Sequence, residues 1–404
     1  MHYIRLLRPA RFDLSDSRRP FLSLLITITT DLGDSFLYPD EPIELALAVE
    51  YFHDDTSFLL STKSPARWSA GMRVLECKIP MQKRLVSIRQ HISCDIKIYA
   101  AQSRTLGYME SSDALPWTVK DESPASEGLI VPVHVFMENG VCRPVTVRLL
   151  RLVTGSQDDD VAYLYLQEEI GESIARHVWD AGVVTSCFLA DSCRTKDAIH
   201  NILPIQKNSI SVLELGCGAG ILGISIASIM YKAAAVQGQQ LKEAHILLTD
   251  LPEAETHTRS NINEASSEDL SIQRADGHNV ALKFESLDWD AGKQGQFGPL
   301  VSSRAWDFIV LSDCTYNVDS LPALVGTLSA LHAANLRHVG TDTSAKSSVI
   351  LATKPRHSSE QALFGFLKAD EWRYRLLKSI PLPRLGEGAE VVEIYLLEKG
   401  KGMT

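Results

Sequence analysis

The chain has 404 residues, 45% of them hydrophobic and 22% charged, with a formal net charge of -10. Those values suit a globular protein of two domains, and the acidic balance argues against a nucleic-acid partner held through phosphates, which needs clustered Lys and Arg. Seven irregularly spaced cysteines without a C-x-x-C pair indicate neither a disulfide framework nor a zinc site, and no apolar run reaches the ~20 residues of a membrane helix.

Residues 1–155 read as β-rich. The Arg-rich start MHYIRLLRPARFDLSDSRR is interrupted by Asp13 and Asp16, which a mitochondrial leader would lack. Short alternating segments then recur between turn residues. They are FLSLLITITT before the turn-like DLGDS, then EPIELALAVEY, RVLECKI, ISCDIKIYAA and LIVPVHVF. Pro132 lacks a backbone N–H, so the last segment is expected at an edge or a bulge. Asn139-Gly140 between strand-like flanks predicts a hairpin. The expectation is an antiparallel sandwich or barrel without a catalytic constellation. The polar TGSQDDD at 154–160 is the expected linker to a second domain over 160–400.

That domain opens with YLYLQEEIGESIARHVWDAGVVTSCFLADS, which predicts two helical stretches, and RTKDAIHNILPI, which predicts another ending near Pro204. From 211 onward strands and helices alternate. SVLELG, HILLTD, VALKFES, WDFIVLSD and SSVILATK are strands; AGILGISIASIMYKAAA, PEAETHTRSNINEA, DSLPALVGTLSALHAA and SSEQALFGFLKA are helices. Such alternation gives a parallel sheet covered by helices on both faces. WRYRLLKSIPL and VVEIYLLEK close the chain with no helix between them, so they form an antiparallel hairpin.

VLELGCGAGILG places Gly216, Gly218 and Gly220 between a strand and a helix. Glycines let the backbone turn tightly and approach a ligand, and the helix start offers free N–H groups. The pattern is G-x-G-x-G, without the G-K-[ST] of a P-loop. Glu214 precedes the first glycine, and Asp250 ends the next strand, where a carboxylate can accept two hydrogen bonds from a vicinal diol. The gap to Asp250 exceeds the usual ~20 residues because YKAAAVQGQQLKEAH lengthens the helix and loop. A glycine turn serving only packing is the plainer alternative. Strand before, helix after and an acid ending the next strand favour an adenosine-type ligand.

At this point the chain resembles the class I S-adenosylmethionine-dependent methyltransferases, with ELGCGAG as their first motif and LLTD as their second. Three further stretches resemble the family 16 methyltransferase-like protein lysine methyltransferases: VWDAG with Trp179 and Asp180, LDWD with Asp288 and Trp289, and DCTY from Asp313 to Tyr316. The resemblance covers about 160 to 400. Asp290 stands where the family has Gly, and Thr315 where it has an apolar residue. The resemblance implies a Rossmann-like α/β sheet of seven strands in the order 3-2-1-4-5-7-6, behind the β-rich N-terminal domain. It implies S-adenosyl-L-methionine as cofactor, bound by Trp179, Glu214, Gly216, Gly218, Gly220, Asp250, Leu251, Asp288, Trp289, Ser312 and Asp313. Trp289 would meet adenine and Trp179 would cover the donor; burial in the core is the bland reading of either tryptophan. Asp313 would align the incoming amine, or else serve as a helix cap. Tyr316 would wall the lysine channel. Cys217 and Cys314 lack an evident His partner and read as packing residues.

The implied partner is a protein offering a lysine, such as a translation elongation factor, in the cytoplasm or nucleus. A small-molecule or nucleic-acid methyltransferase and a silent methyltransferase-like scaffold are the alternatives. No N-P-P-[YF] motif follows the fourth strand, which speaks against an exocyclic base amine. Gly216, Asp250, Trp289, Asp313 and Tyr316 together speak against a silent site. The N-terminal domain is expected to recognise or dock the substrate.

Overall fold

The computed structural model describes residues 1–13, 15, 20–53, 56–61, 66–80, 93–118, 128–155, 161–171, 177–195, 207–234, 241–265, 279–339, 347–383 and 390–400. Most of the expected linker and of the helix expected over RTKDAIHNILPI lies outside them. The chain divides into two compact units: Met1–Arg151 with Tyr165–His177 and Pro383–Ala389, and Leu152–Leu164 with Val178–Leu382 and Glu390–Thr404.

Two sheets build the first unit. One runs in the order Ile130–Val131, His2–Leu6, Phe21–Thr29, Arg11–Asp13, with Leu75–Pro80 also paired to Phe21–Thr29. The other runs Val161–Glu169, Val141–Val153, Val133–Glu138, Ser93–Ala100, Ile43–His53, Thr56–Ser61. Period-two patterning explains the core. Leu22, Leu24, Ile26 and Ile28 from the first sheet share one buried cluster with Leu45, Leu47, Val49, Ile96, Ile98, Val133 and Val135 from the second. Each such side chain contributes about 1.5–3 kcal/mol on burial.

Pro132 marks a crossing between the sheets. It follows an edge strand of the first and precedes Val133–Glu138, an interior strand of the second, so the expected edge position holds only for Ile130–Val131. Further along Val133–Glu138 the pairing with Val141–Val153 is irregular, with a register shift between Val135 and Met137. Asn139 and Gly140 take φ of 49° and 77°, the left-handed pair that a tight hairpin requires, and join Glu138 to Val141. The segment Val161–Glu169 corrects the sequence reading: it is a strand, and among the described residues of that region Asp180–Thr195 is the helix. Its buried positions alternate along VAYLYLQEE, the signature of a strand in a sheet rather than of a helix face.

The second unit is a seven-stranded sheet with helices. Its strands are β1 (Ser209–Leu215), β2 (Glu243–Asp250), β3 (Asn279–Ser286), β4 (Phe308–Ser312), β5 (Ser347–Thr353), β6 (Arg373–Pro381) and β7 (Val391–Lys399). The helices are α1 (Asp180–Thr195), α2 (Ile221–Ala234), α3 (Pro252–Ala265), the short α4 (Trp289–Gly292), α5 (Leu321–Val339) and α6 (Ala362–Ala369). The strand order is β3-β2-β1-β4-β5-β7-β6. β1 to β5 pair in parallel, and β7 runs antiparallel to both β5 and β6. β5 is buried along its whole length, as expected of an interior strand covered on both faces. The chain leaves β1 toward β2 on one side and returns as β4 on the other. Beyond the carboxyl ends of β1 and β4 lies the switch-point crevice, where such sheets bind ligands. Among the described residues no helix is long and apolar enough to cross a membrane.

Candidate active site

The glycine turn leaves β1 with left-handed backbone at Gly216, Gly218 and Gly220, φ 63°, 53° and 85°. A side chain is excluded twice over. A Cβ on Gly216 would lie 3.0 Å from Cys314 Cβ and 3.2 Å from Trp289 Cζ2, and one on Gly220 would lie 2.8 Å from Leu248 Cδ2. The turn is held in place by its neighbours. The Cys217 N–H donates to Thr249 O at 3.0 Å, Thr258 Oγ1 to Gly218 O at 2.7 Å, and Asn261 Nδ2 to Ala219 O at 2.8 Å.

Asp250 ends β2 as expected. Its Oδ2 accepts from the Gly218 N–H and its Oδ1 from the Leu251 N–H, each at 2.7 Å. Both oxygens are thereby oriented, with lone pairs left over. Burial raises the pKa of this carboxyl above its usual range, against the effect of those two donors. Leu251 beside it is exposed. Glu214, fully buried, accepts from the Gly223 N–H at 2.9 Å through Oε2. Its Oε1 is buried with no hydrogen-bond partner among the described residues. Burial first, and then the charge of Asp250, push its pKa up to about 8.

Trp289 opens α4, partly buried, with its carbonyl accepting from Thr327 Oγ1 at 3.0 Å. Asp288 caps that short helix, its Oδ1 accepting from the Asp290 N–H at 2.9 Å. Asp290, which replaces the family's Gly, is exposed and pairs with Lys293. Thr315, which replaces an apolar residue, is buried with its hydroxyl 3.0 Å from that of Thr353. Ser312 ends β4; its Oγ lies 3.4 Å from where a Cβ on Gly182 would sit. Tyr316 stands 54% exposed, its pKa raised by burial and then by the charge of Asp250. Burial also pushes the thiols of Cys217 and Cys314 up, which keeps them protonated and fits packing roles.

Asp313, expected to align an amine or to cap a helix, is not exposed. Its side chain is 1% exposed and turned into the protein. Oδ2 accepts from the Ala181 N–H at the start of α1 at 2.7 Å; Oδ1 accepts from Arg356 Nη1 at 2.9 Å and from the Lys354 N–H at 3.2 Å. It does cap a helix, but α1 rather than the helix that follows it. Asn317 caps that following turn, accepting from the Asp319 N–H. Asp313 also carries φ 51°, a left-handed value uncommon for a residue with a side chain.

Three charged groups absent from the sequence expectations complete the cluster. Lys354 Nζ lies 2.8 Å from Asp180 Oδ2 and 3.3 Å from Glu390 Oε2, with side-chain exposures of 5% for Lys354 and 0% for Asp180. The Arg356 guanidinium sits 5.3 Å from the centre of the Trp179 ring. The sequence signal was present as TKPR at the end of the fifth strand: two cations closing an apolar strand of an acidic chain. The glycine turn, Trp289, the DCTY stretch and the VWDAG stretch therefore meet at one end of the sheet.

Residues 158–370 match the model of a family described as lysine methyltransferase. A UPF0665 family protein of Schizosaccharomyces pombe is 26% identical over 374 residues, which cover 90% of this chain and 92% of that one. Two solved structures are similar at low level. TYW2 of P. horikoshii in complex with MeSAdo has 13% identity and a TM-score of 0.32 over 63% of this chain and 71% of that chain. TYW2 of M. jannaschii in complex with AdoMet has 8% identity and a TM-score of 0.31 over 64% of this chain and 88% of that chain. The family match spans more than half of the chain and takes in the glycine turn, Asp250, Trp289 and the Asp313–Tyr316 stretch. The protein belongs to the lysine methyltransferase family, a branch of the class I methyltransferases.

Proposed function

We propose that the protein transfers methyl groups from S-adenosylmethionine to a lysine side chain of a protein substrate, such as a translation elongation factor. The observation that carries this reading is the family match over 158–370, whose motif stretches converge beyond the carboxyl ends of β1 and β4. S-adenosylmethionine supplies a methyl carbon on a positively charged sulfur. The residues present fit it. Asp250 keeps lone pairs for ribose hydroxyls, the left-handed glycine turn leaves room for close approach, and Glu214 keeps a buried oxygen without a partner among the described residues. Trp289, packed over Gly216, offers an aromatic edge to adenine.

For the acceptor, a free lysine holds its proton up to a pKa near ~10.4, so transfer needs the neutral amine. Desolvation on docking favours that form, and fixing the nitrogen in line with the methyl carbon supplies much of the rate. Asp313 acts here as the carboxylate that sets the acceptor's place. The N-terminal unit is read as the docking surface for the substrate. Its exposed Tyr38 and Val141, 72% and 68% accessible, are candidate contacts.

The test is incubation of the full chain with labelled S-adenosylmethionine and whole-cell protein extract, then mass spectrometry of the labelled material, with S-adenosylhomocysteine binding measured by calorimetry. Methyl-lysine in a discrete protein is the expected result. Label confined to RNA or to small molecules would move the reading to those substrates, and donor binding without any label would indicate a silent scaffold. Tyr38→Ser with Val141→Ser should reduce labelling of that protein while leaving donor binding intact. Cutting the chain at 155 is a poorer test, because it parts Arg148 from Glu168, a buried pair 2.5 Å apart within the first unit.

A further inference from the structure

We infer that Arg356 is a resident cation in the acceptor's binding site, and that the substrate ammonium enters by displacing it. The inference rests on the lysine methyltransferase reading and goes beyond it in assigning how the acceptor gains entry.

An ammonium group leaving water needs a carboxylate and gains from an aromatic face. Asp313 and Trp179 are such a pair, and the Arg356 guanidinium now satisfies both, 2.9 Å from Oδ1 and 5.3 Å from the ring centre. The second acid of the cluster offers no alternative. Asp180 is fully buried and pairs with Lys354, which Glu390 also contacts. Of the four side chains Asp180, Lys354, Asp313 and Arg356, that of Arg356 is the most accessible, at 10%. It is therefore the one placed to leave.

Among the described residues its departure breaks the pair with Asp313 and one further bond, from Nη1 to the Lys354 carbonyl at 3.3 Å. The main chain of the loop is tied separately, because the N–H groups of Arg356 and His357 both donate to Glu360 Oε1 at 3.1 Å. Asp313 likewise stays aimed, held through Oδ2 by the Ala181 N–H and through Oδ1 by the Lys354 N–H. Among the described residues, what faces the space left when Arg356 swings out is an oriented carboxylate beside a tryptophan, a site for one cation. The exchange makes Arg356 a specificity-determining residue. A free amine must give up water and also break the resident pair, whereas a docked protein lysine has further contacts to offset that cost.

The experiment uses the full chain and n-butylammonium chloride as a stand-in for the lysine side chain, titrated by calorimetry into wild type, Arg356→Ala, Arg356→Gln, and Arg356→Ala combined with Asp313→Asn. Both single variants should bind butylammonium about tenfold or more tightly than wild type. Asp313→Asn should erase the gain, and methylguanidinium should compete for the vacated site. If Arg356→Ala does not fold, Arg356→Gln, which keeps an N–H donor toward Asp313, carries the test. No gain in the folded variants, or a gain that survives Asp313→Asn, overturns the inference. S-adenosylhomocysteine titrated in parallel into wild type separates the two ideas: its failure to bind would break the methyltransferase reading, whatever butylammonium does.

Discussion

Near the amino ends of β1, β4 and β5, polar groups close on one another. Asp307 accepts from Lys207 Nζ at 2.6 Å and from the Ser211 N–H at 2.8 Å. Asn335 accepts from the Trp306 N–H and donates to the Trp306 carbonyl, and the Ser347 hydroxyl lies between Asn335 and His332. At the carboxyl ends the same sheet carries left-handed backbone at Gly216, Gly218, Gly220 and Asp313, a buried acid with an oxygen lacking a partner among the described residues, and two adjoining buried ion pairs. One end meets its needs with ordinary contacts. The other gathers strain and buried charge, which persist only where the surroundings enforce them and which mark sites of chemistry.

Substitutions at the two ends should separate stability from ligand binding. The largest effect is expected from Asp313→Ala, which leaves the Arg356 cation without its carboxylate and two N–H groups without an acceptor. Breaking such a pair costs about 3–5 kcal/mol, readable by urea denaturation. A loss below 1 kcal/mol would show that the cluster is far wetter than its burial implies. Next, Asp250→Ala should weaken S-adenosylhomocysteine binding by about tenfold or more, the worth of hydrogen bonds to a charged group. The same change leaves the Gly218 and Leu251 N–H groups without their acceptor, so the melting temperature should fall modestly as well.

Asn335→Ala tests the opposite end. It removes three contacts to Trp306 and Ser347 and should cost about 1–3 kcal/mol of stability with donor affinity unchanged. A fall in donor affinity would mean that the two ends are coupled. A pH dependence is expected of Glu214. Its pKa is raised from 4.5 to about 8 in the folded chain, so between those values the folded state keeps a proton that the unfolded state has lost. Stability should therefore fall as pH rises through that window. Glu214→Gln should flatten that part of the pH profile of the melting temperature, and an unchanged slope would assign the fall to other groups.

The contrast between the ends was only half legible in the sequence. Gly216, Gly218, Gly220, Asp250 and Trp289 could be read because local order announces them: strand, tight turn, helix, and an acid at the end of the next strand. The pairings of Arg356 and Lys354 are not legible in the sequence, because their partners Asp313 and Asp180 lie 43 and 174 positions away along the chain. Pairing over such distances leaves no periodic trace. Asp313 was found as a residue but not as a geometry: nothing in DCTY tells that the carboxylate turns inward to Ala181. Val161–Glu169 misled for a related reason. Its apolar residues suit a helix until the Val141–Val153 strand is placed beside it, and the pairing decides. Thr315 departs from the apolar norm because Thr353, on the neighbouring β5, gives its hydroxyl a partner.

The insertion of β7 between β5 and β6 has a consequence for the order in which the site is assembled. Glu390, the residue before β7, is the second partner of Lys354, and β7 covers the flank of β5 that would otherwise be an open edge. During synthesis the residues of β1 to β6 leave the ribosome before β7 does. A nascent chain can thus form the glycine turn and Asp250 while Lys354 still lacks a counter-charge and β5 a neighbouring strand. A stop codon before residue 390 would yield a chain with every motif present and the Lys354 cluster unfinished, exposing the row of backbone groups on β5 that invites aggregation.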